Sequence, residues 1–220
     1  SIYIPAFNAE KTIEQTINSI KYQSIKVNEI IVVDDGSSDN TLEIIKKHSD
    51  IKIIINQINK GLGYSRNIAI KESKNEIIAA IDADVVLDKN WLEICLASLN
   101  HDKFIMVGGN MVERIDGKYN LWRSKYYSQN WGKKNLENPP FLFGCNTIQF
   151  KSIWHKLNGY DESLRTNGED IDYSEKVKLQ NLKTTYLADA KCFHLQDDNL
   201  KTLSNRIWRY HSFGYKIKEI

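Results

Sequence analysis

Residues 77–84 read Ile77-Ile78-Ala79-Ala80-Ile81-Asp82-Ala83-Asp84: an unbroken apolar run, then two carboxylates one residue apart. A run this short and this continuously apolar fits a parallel strand covered on both faces. Three runs of the same kind precede it, Ile2–Ile4, Glu29-Ile30-Ile31-Val32-Val33 and Ile51–Ile55. Between them apolar residues fall at helical spacing: Ile13, Ile17 and Ile20, then Leu42 and Ile45, then Leu62 with Ile68–Ile70. Trp91, Cys95 and Leu99 continue that spacing after the fourth run. Strand–helix alternation of this sort predicts an α/β fold with an open, mostly parallel sheet flanked by helices. In such sheets ligands bind beyond the carboxyl ends of the strands.

Those ends are polar here. The first strand closes on Pro5-Ala6-Phe7-Asn8, the second on Asp34-Asp35-Gly36-Ser37-Ser38-Asp39, and the third on Asn56 before the helix entry Asn59-Lys60-Gly61. The fourth closes on Asp82-Ala83-Asp84. Helix capping accounts for any one of these sites and poorly for four on one edge.

The composition bounds the rest. The chain has 220 residues, 41% hydrophobic, with 30 Lys+Arg against 28 Asp+Glu, which allows one domain with a large core and argues against disorder. The near-neutral balance gives no electrostatic reason for a nucleic-acid partner. No apolar run approaches the ~20 residues of a membrane span. Both ends look cut, since Ser1 leads straight into a strand and Ile220 stops inside a helical pattern. Cys95, Cys145 and Cys192 are odd in number and widely spaced, as buried free thiols of a reducing compartment would be.

After about residue 104 the alternation breaks down. Phe104–Val107, Phe141–Phe150 and Thr184–Leu187 are strand-like. Tyr119, Trp122, Tyr126, Tyr127 and Trp131 suggest an aromatic-faced helix, packed on the sheet or forming an acceptor-binding wall. A helical pattern follows Gly168, and an amphipathic segment runs from Asn199.

Several residues carry candidate chemistry. Asp82 and Asp84 on one tight turn repel each other unless a cation intervenes, and a hard divalent ion with oxygen ligands suits them; the plain alternative is a loop turn. Asp35 can accept from a pyrimidine N–H or a ribose hydroxyl, with Pro5–Asn8 as a rigid wall against the base. Lys60-Gly61 through Arg66 opens a helix where Arg66 can fork onto a phosphate, or make a surface ion pair. Glu169, Asp170 and Asp172 crowd a helix start, as dipole partners or as a base for an attacking hydroxyl. His194 at a strand end is a metal ligand or a satisfied core histidine.

In this order the motifs resemble the family-2 glycosyltransferases of the GT-A fold. The matching pieces are Ile4-Pro5-Ala6-Phe7-Asn8-Ala9-Glu10, Val33–Asp39, Asn59-Lys60-Gly61 with Ser65-Arg66-Asn67, Asp82-Ala83-Asp84, and Gly159–Glu162 with Gly168–Asp172. The resemblance implies a GT-A (Rossmann-like) domain whose residues 1–103 bind the nucleotide sugar and whose residues 104–198 carry the acceptor side and the base. Residues 199–220 would form a C-terminal amphipathic helix. It implies Mn²⁺ or Mg²⁺ on Asp82 and Asp84, joined in some members by a late histidine, here His194. It implies Asp35 on the nucleoside, Asp170 as catalytic base and Glu169 holding the acceptor. Pro5, Ala6, Phe7, Asn8, Glu10, Lys60, Gly61, Arg66, Asp82 and Ala83 complete the donor-binding set. The partners so implied are a nucleoside-diphosphate sugar, UDP-linked by default, and a carbohydrate or lipid-linked acceptor.

The sequence departs from the family pattern at Ser65, where Ala is more usual, and at Tyr173, where Leu commonly follows the acidic cluster. The Gln-x-x-Arg-Trp signature of processive synthases is absent, which predicts one sugar per encounter. Two other functions fit less well: a sugar-phosphate nucleotidyltransferase, which wants a Gly-rich basic loop after the first strand, and a non-catalytic sugar-nucleotide-binding domain. The last segment, with Leu200, Leu203, Ile207 and Trp208 among Lys201, Arg206 and Arg209, is expected to close over the site or pack on the sheet. Lying on a membrane surface is its alternative, for a cytoplasmic protein at the inner face.

Overall fold

A computed structural model describes residues 1–213, so residues 214–220 of the expected last helix lie outside the described residues. Four parallel strands come first: β1 (Ile2–Ala6), β2 (Ile30–Asp34), β3 (Lys52–Ile55) and β4 (Ile77–Ile81), joined by α1 (Ile13–Lys21), α2 (Thr41–Ile45) and α3 (Leu62–Glu72). Then follow β5 (Val85–Leu87), α4 (Trp91–Ser98), β6 (Met106–Val112), α5 (Lys118–Tyr126), β7 (Leu136–Glu137), β8 (Asn146–Phe150), α6 (Lys151–Lys156), α7 (Glu169–Leu179), β9 (Thr184–His194) and α8 (Leu200–Phe213). The strands form one sheet in the order β3-β2-β1-β4-β8-β6-β9-β5, with β7 on β9. Strands β4 and β8 pair antiparallel, as do β6 and β8, so the second half is mixed.

Period-two alternation divides the core between the sheet's faces. Ile4, Val32 and Ile81 pack with Ile13, Ile17 and Ile20 of α1 and with Trp91 and Cys95 of α4. Tyr3, Ile31, Val33 and Ile78 pack with Ala69 and Ile70 of α3 and Tyr173 and Val177 of α7. All three cysteines are free and buried. Among the described residues no helix is long and apolar enough to cross a membrane.

The second half differs from the sequence reading in its bounds. Strand β9 runs to His194 because from Ala188 onward its residues alternate buried and exposed, and Asp189 and Lys191 on the wet face hide it. Residues 141–145 precede β8 as irregular chain, with Phe141 and Phe143 packed against Trp131. The aromatic helix stops at Tyr126, and Trp131 lies beyond it. Strand β5, unexpected, begins right after Asp84 and pairs antiparallel with β9 in the register Val85↔His194. That register brings the Asp-x-Asp turn to the histidine.

Candidate functional site

The turn after β4 is fixed through its backbone. Asp82 N–H donates to the Cys145 carbonyl at 3.0 Å, and Val85 N–H donates to the Asp82 carbonyl at 3.2 Å. The Thr16 hydroxyl of α1 donates to the Ala83 carbonyl at 3.0 Å. The two carboxylates line the same cavity, and each meets its own cationic side chain. Asp82 Oδ1 accepts from Arg66 Nη2 at 3.0 Å, and Asp84 Oδ2 lies 3.3 Å from His194 Nε2. Burial raises the Asp82 carboxyl against the pull of Arg66. At Asp84 burial also pushes upward, but the imidazolium wins and holds the group at about 2. The same pairing, helped by Glu113, overcomes the burial of His194 and lifts it to about 9.

Arg66 is not free to fork onto a phosphate, as the sequence suggested. It is 1% exposed, and besides Asp82 it donates from Nε to Glu169 Oε1 at 3.2 Å and from Nη1 to the Gly144 carbonyl at 2.9 Å. It ties α3 to the start of α7 and to the loop before β8. Two glycines permit this: Gly61, at φ 100, lets α3 begin against Arg165, and Gly168, at φ 89, opens α7 from the left-handed region.

At that start Asp170 Oδ2 accepts from Gly144 N–H at 3.0 Å and Oδ1 from Ile171 N–H at 2.9 Å. Burial raises its carboxyl. Burial, with the charge of Asp170 beside it, pushes Glu169 up to about 8 against Arg66. Its Oε2 is buried without a partner.

Arg66, Asp82, Asp84, Glu169, Asp170 and His194 all line one cavity of about 700 Å³. The remaining candidates lie off it, in loops at the ends of β1–β3. Asn8, at φ 51, accepts from Ser38 N–H at 2.8 Å, and Glu10 accepts from Asn40 Nδ2 at 2.8 Å, so the first two loops are laced together. Pro5 and Ala6 are buried within β1, Phe7 is half exposed, and Lys60 rests on Tyr64. Asp35 accepts from Asn56 Nδ2 at 2.7 Å, Lys60 N–H at 2.9 Å and Gly61 N–H at 2.8 Å. Its carboxylate shapes the entry to α3, and Leu62, next in sequence, reaches the cavity.

The far wall comes from the two segments that the sequence reading offered as an acceptor wall and as a closing helix, each with packing on the sheet as its alternative. Helix α8 contributes Arg206, Arg209 and Tyr210, and the Nε atoms of both arginines are buried without a hydrogen-bond partner. Tyr127 stacks on Tyr210 with centroids 5.9 Å apart. Trp131, Phe141 and Phe143 complete this wall. The signal for the arginines was the amphipathic pattern itself, whose basic residues look like a solvated face until the helix is placed.

The donor set suits a hard divalent cation: two carboxylates 28% and 30% exposed on the cavity, and one imidazole. Arg66 and His194 supply positive charge beside these carboxylates. Among the described residues no three His, Cys, Asp or Glu side chains are gathered as a metal-ligand group.

The family model described as Glycosyl transferase family 2 matches residues 1–157. Chondroitin synthase of Escherichia coli is 29% identical over 212 residues, covering 92% of this chain and 30% of its own. Poly-beta-1,6-N-acetyl-D-glucosamine synthase of Staphylococcus epidermidis is 36% identical over 238 residues, covering 99% of this chain and 55% of its own. The chain thus spans about a third to about half of these relatives. Among solved structures, the mannosyltransferase PcManGT from Pyrobaculum calidifontis, in complex with GDP-Man and Mn²⁺, superposes with a TM-score of 0.73 at 20% identity. That match covers 94% of this chain and 59% of the other.

Proposed function

The chain belongs to glycosyl transferase family 2, and from that premise we propose that it transfers a sugar from a nucleoside-diphosphate sugar to an acceptor hydroxyl with inversion. The observation that carries this reading is the convergence of Asp82, Asp84, Asp170 and His194, from three separate stretches of chain, on one cavity. The products are polysaccharides or glycoconjugates, by analogy with the relatives' names. The donor is UDP-linked, and the acceptor is a carbohydrate or a lipid-linked carbohydrate. Residues 1–103 serve the donor and 104–198 the acceptor and the base.

Asp170 takes the proton of the acceptor hydroxyl. The acceptor oxygen then bonds to the anomeric carbon as the bond from that carbon to the diphosphate oxygen breaks, and the electron pair leaves with the nucleoside diphosphate. One displacement inverts the centre, so one base suffices and no protein nucleophile is needed. Two N–H donors hold the Asp170 carboxylate, and burial makes it a stronger base than a solvated one. Glu169 beside it helps to hold the acceptor. With Arg66 committed elsewhere, Arg206 and Arg209 on the cavity wall supply the positive charge for the departing diphosphate. Mn²⁺ or Mg²⁺ on Asp82, Asp84 and His194 would supply Lewis-acid stabilisation of that leaving group. The absent Gln-x-x-Arg-Trp signature supports one sugar per encounter.

The test is a panel of nucleotide sugars with Mn²⁺, read by thermal stabilisation and by release of nucleoside diphosphate. A UDP-sugar is expected to stabilise the wild type and not the Asp82→Ala/Asp84→Ala variant. Equal stabilisation of both removes the metal assignment. Pyrophosphate released from a nucleoside triphosphate and a sugar phosphate, with no transfer from any nucleotide sugar, replaces the reading with nucleotidyl transfer.

A further inference from the structure

Behind the cavity, on the side of His194 away from Asp84, lies a cluster of buried charges that the mechanism does not use. Glu113, just past the end of β6, and Arg123 of α5 have side chains 3% and 1% exposed. Glu113 Oε2 lies 2.7 Å from His194 Nδ1 and accepts from Arg123 Nε at 3.0 Å, while Oε1 accepts from the Gln129 N–H at 3.3 Å. Arg123 is gripped in turn: Nη1 pairs with the Asp198 carboxylate, and Nη2 donates to the Gln196 carbonyl at 3.1 Å. Desolvating these charged groups is costly, and an ion pair at this depth is weak grounds for a stability role.

We infer that Glu113, held by Arg123, is the positioning residue that fixes the His194 ring with Nδ1 as donor and Nε2 as the cation ligand facing Asp84. The inference rests on the metal-dependent reading above. A histidine that ligates a metal through one nitrogen commonly donates from the other to a carboxylate, which sets the tautomer and the ring plane. Glu113 stands where such a carboxylate must be. It is anchored by a guanidinium and a backbone N–H, so it cannot follow the ring if the ring turns. The opposite nitrogen is already aimed across the cavity, with Nε2 3.3 Å from Asp84 Oδ2. The competing role is purely structural. Asp198 accepts from the Thr202 hydroxyl at 2.9 Å in the first turn of α8, so the same cluster also seats that helix.

Mn²⁺ titrations, followed by the free-ion EPR signal and by calorimetry, separate the two roles. Glu113→Gln is expected to weaken Mn²⁺ binding by about 10- to 100-fold, as loss of such an outer partner does. Unchanged Mn²⁺ affinity with a lowered melting temperature assigns the cluster to structure alone and overturns the inference. Wild type that takes up no Mn²⁺ overturns the metal reading itself, and this inference with it. Should Glu113→Gln fail to fold, ¹⁵N-histidine NMR of the wild type with Mg²⁺ or Zn²⁺ decides, with His194→Asn assigning the resonance. Nδ1 protonated and Nε2 metal-bound is the expected state; a proton on Nε2, or a ring that shows neither bond, refutes the inference.

Discussion

Asp35 and Glu169 are buried alike, 4% and 2% exposed, yet their carboxyl groups meet opposite treatment. Asp35 receives three N–H donors, two of them backbone, from the loop that it shapes. Glu169 receives one arginine contact, a neighbouring carboxylate, and no partner for its second oxygen. The entry to α3 satisfies Asp35 and so gains a fixed form. The cavity leaves Glu169 Oε2 without a donor, and burial beside Asp170 perturbs its protonation. Depth of burial does not separate these two acids. The supply of hydrogen-bond donors does.

Substitutions on the two sides of this contrast test it. The largest effect belongs to Asp170→Asn, which should lower kcat by about 10²- to 10⁴-fold while nucleotide-sugar affinity, measured by calorimetry, changes little. Unaltered turnover would move the base elsewhere. Next, Arg66→Met strands Asp82 and Glu169 without their cation, and chemical denaturation should show a loss of about 3–5 kcal/mol. Asp35→Asn sharpens the comparison from the other side. It replaces one acceptor with a donor facing an N–H, a mismatch of about 1–3 kcal/mol, and should weaken donor binding through the Lys60–Gly61 loop with little change in kcat.

The last test is a pH trend in the protein without added metal. Glu169 is raised from 4.5 to about 8 and His194 from 6.5 to about 9, so the folded chain holds protons that the unfolded chain releases. Stability should fall as pH rises from about 5 to 9, each kcal/mol lowering the melting temperature by about 2–4 °C. Asp84 and Glu113, both lowered, act oppositely: their contribution is present at neutral pH and is lost in acid. Glu169→Gln should flatten the alkaline slope.

The first half of the fold was legible because its strands are covered on both faces and keep unbroken apolar runs, as Ile77–Ile81 does. Asp82, Asp84 and Asp170 were legible because each follows a strand or opens a helix. What escaped depends on contacts that local pattern does not carry. Arg66 and Glu169 are 103 residues apart, so the sequence offered a phosphate where the fold supplies a carboxylate. The wet face of β9 concealed the register that delivers His194. Arg206 and Arg209 carried the periodicity of a surface helix, and only its placement turns them inward. For the Asp-x-Asp pair the repulsion was visible in the sequence, and the separate contacts with Arg66 and His194 were not.

Gly144 lends its backbone to two charges, its N–H to Asp170 and its carbonyl to Arg66. A methyl group there would sit 2.9 Å from Arg66 Nη2 and 3.3 Å from Asp170 Cβ. The two groups belong to adjacent peptide planes hinged on one Cα, so a displacement of that residue reaches both ends of the crevice. Changes in what this cavity recognises then fall to its surrounding walls, while this residue keeps both charges in place.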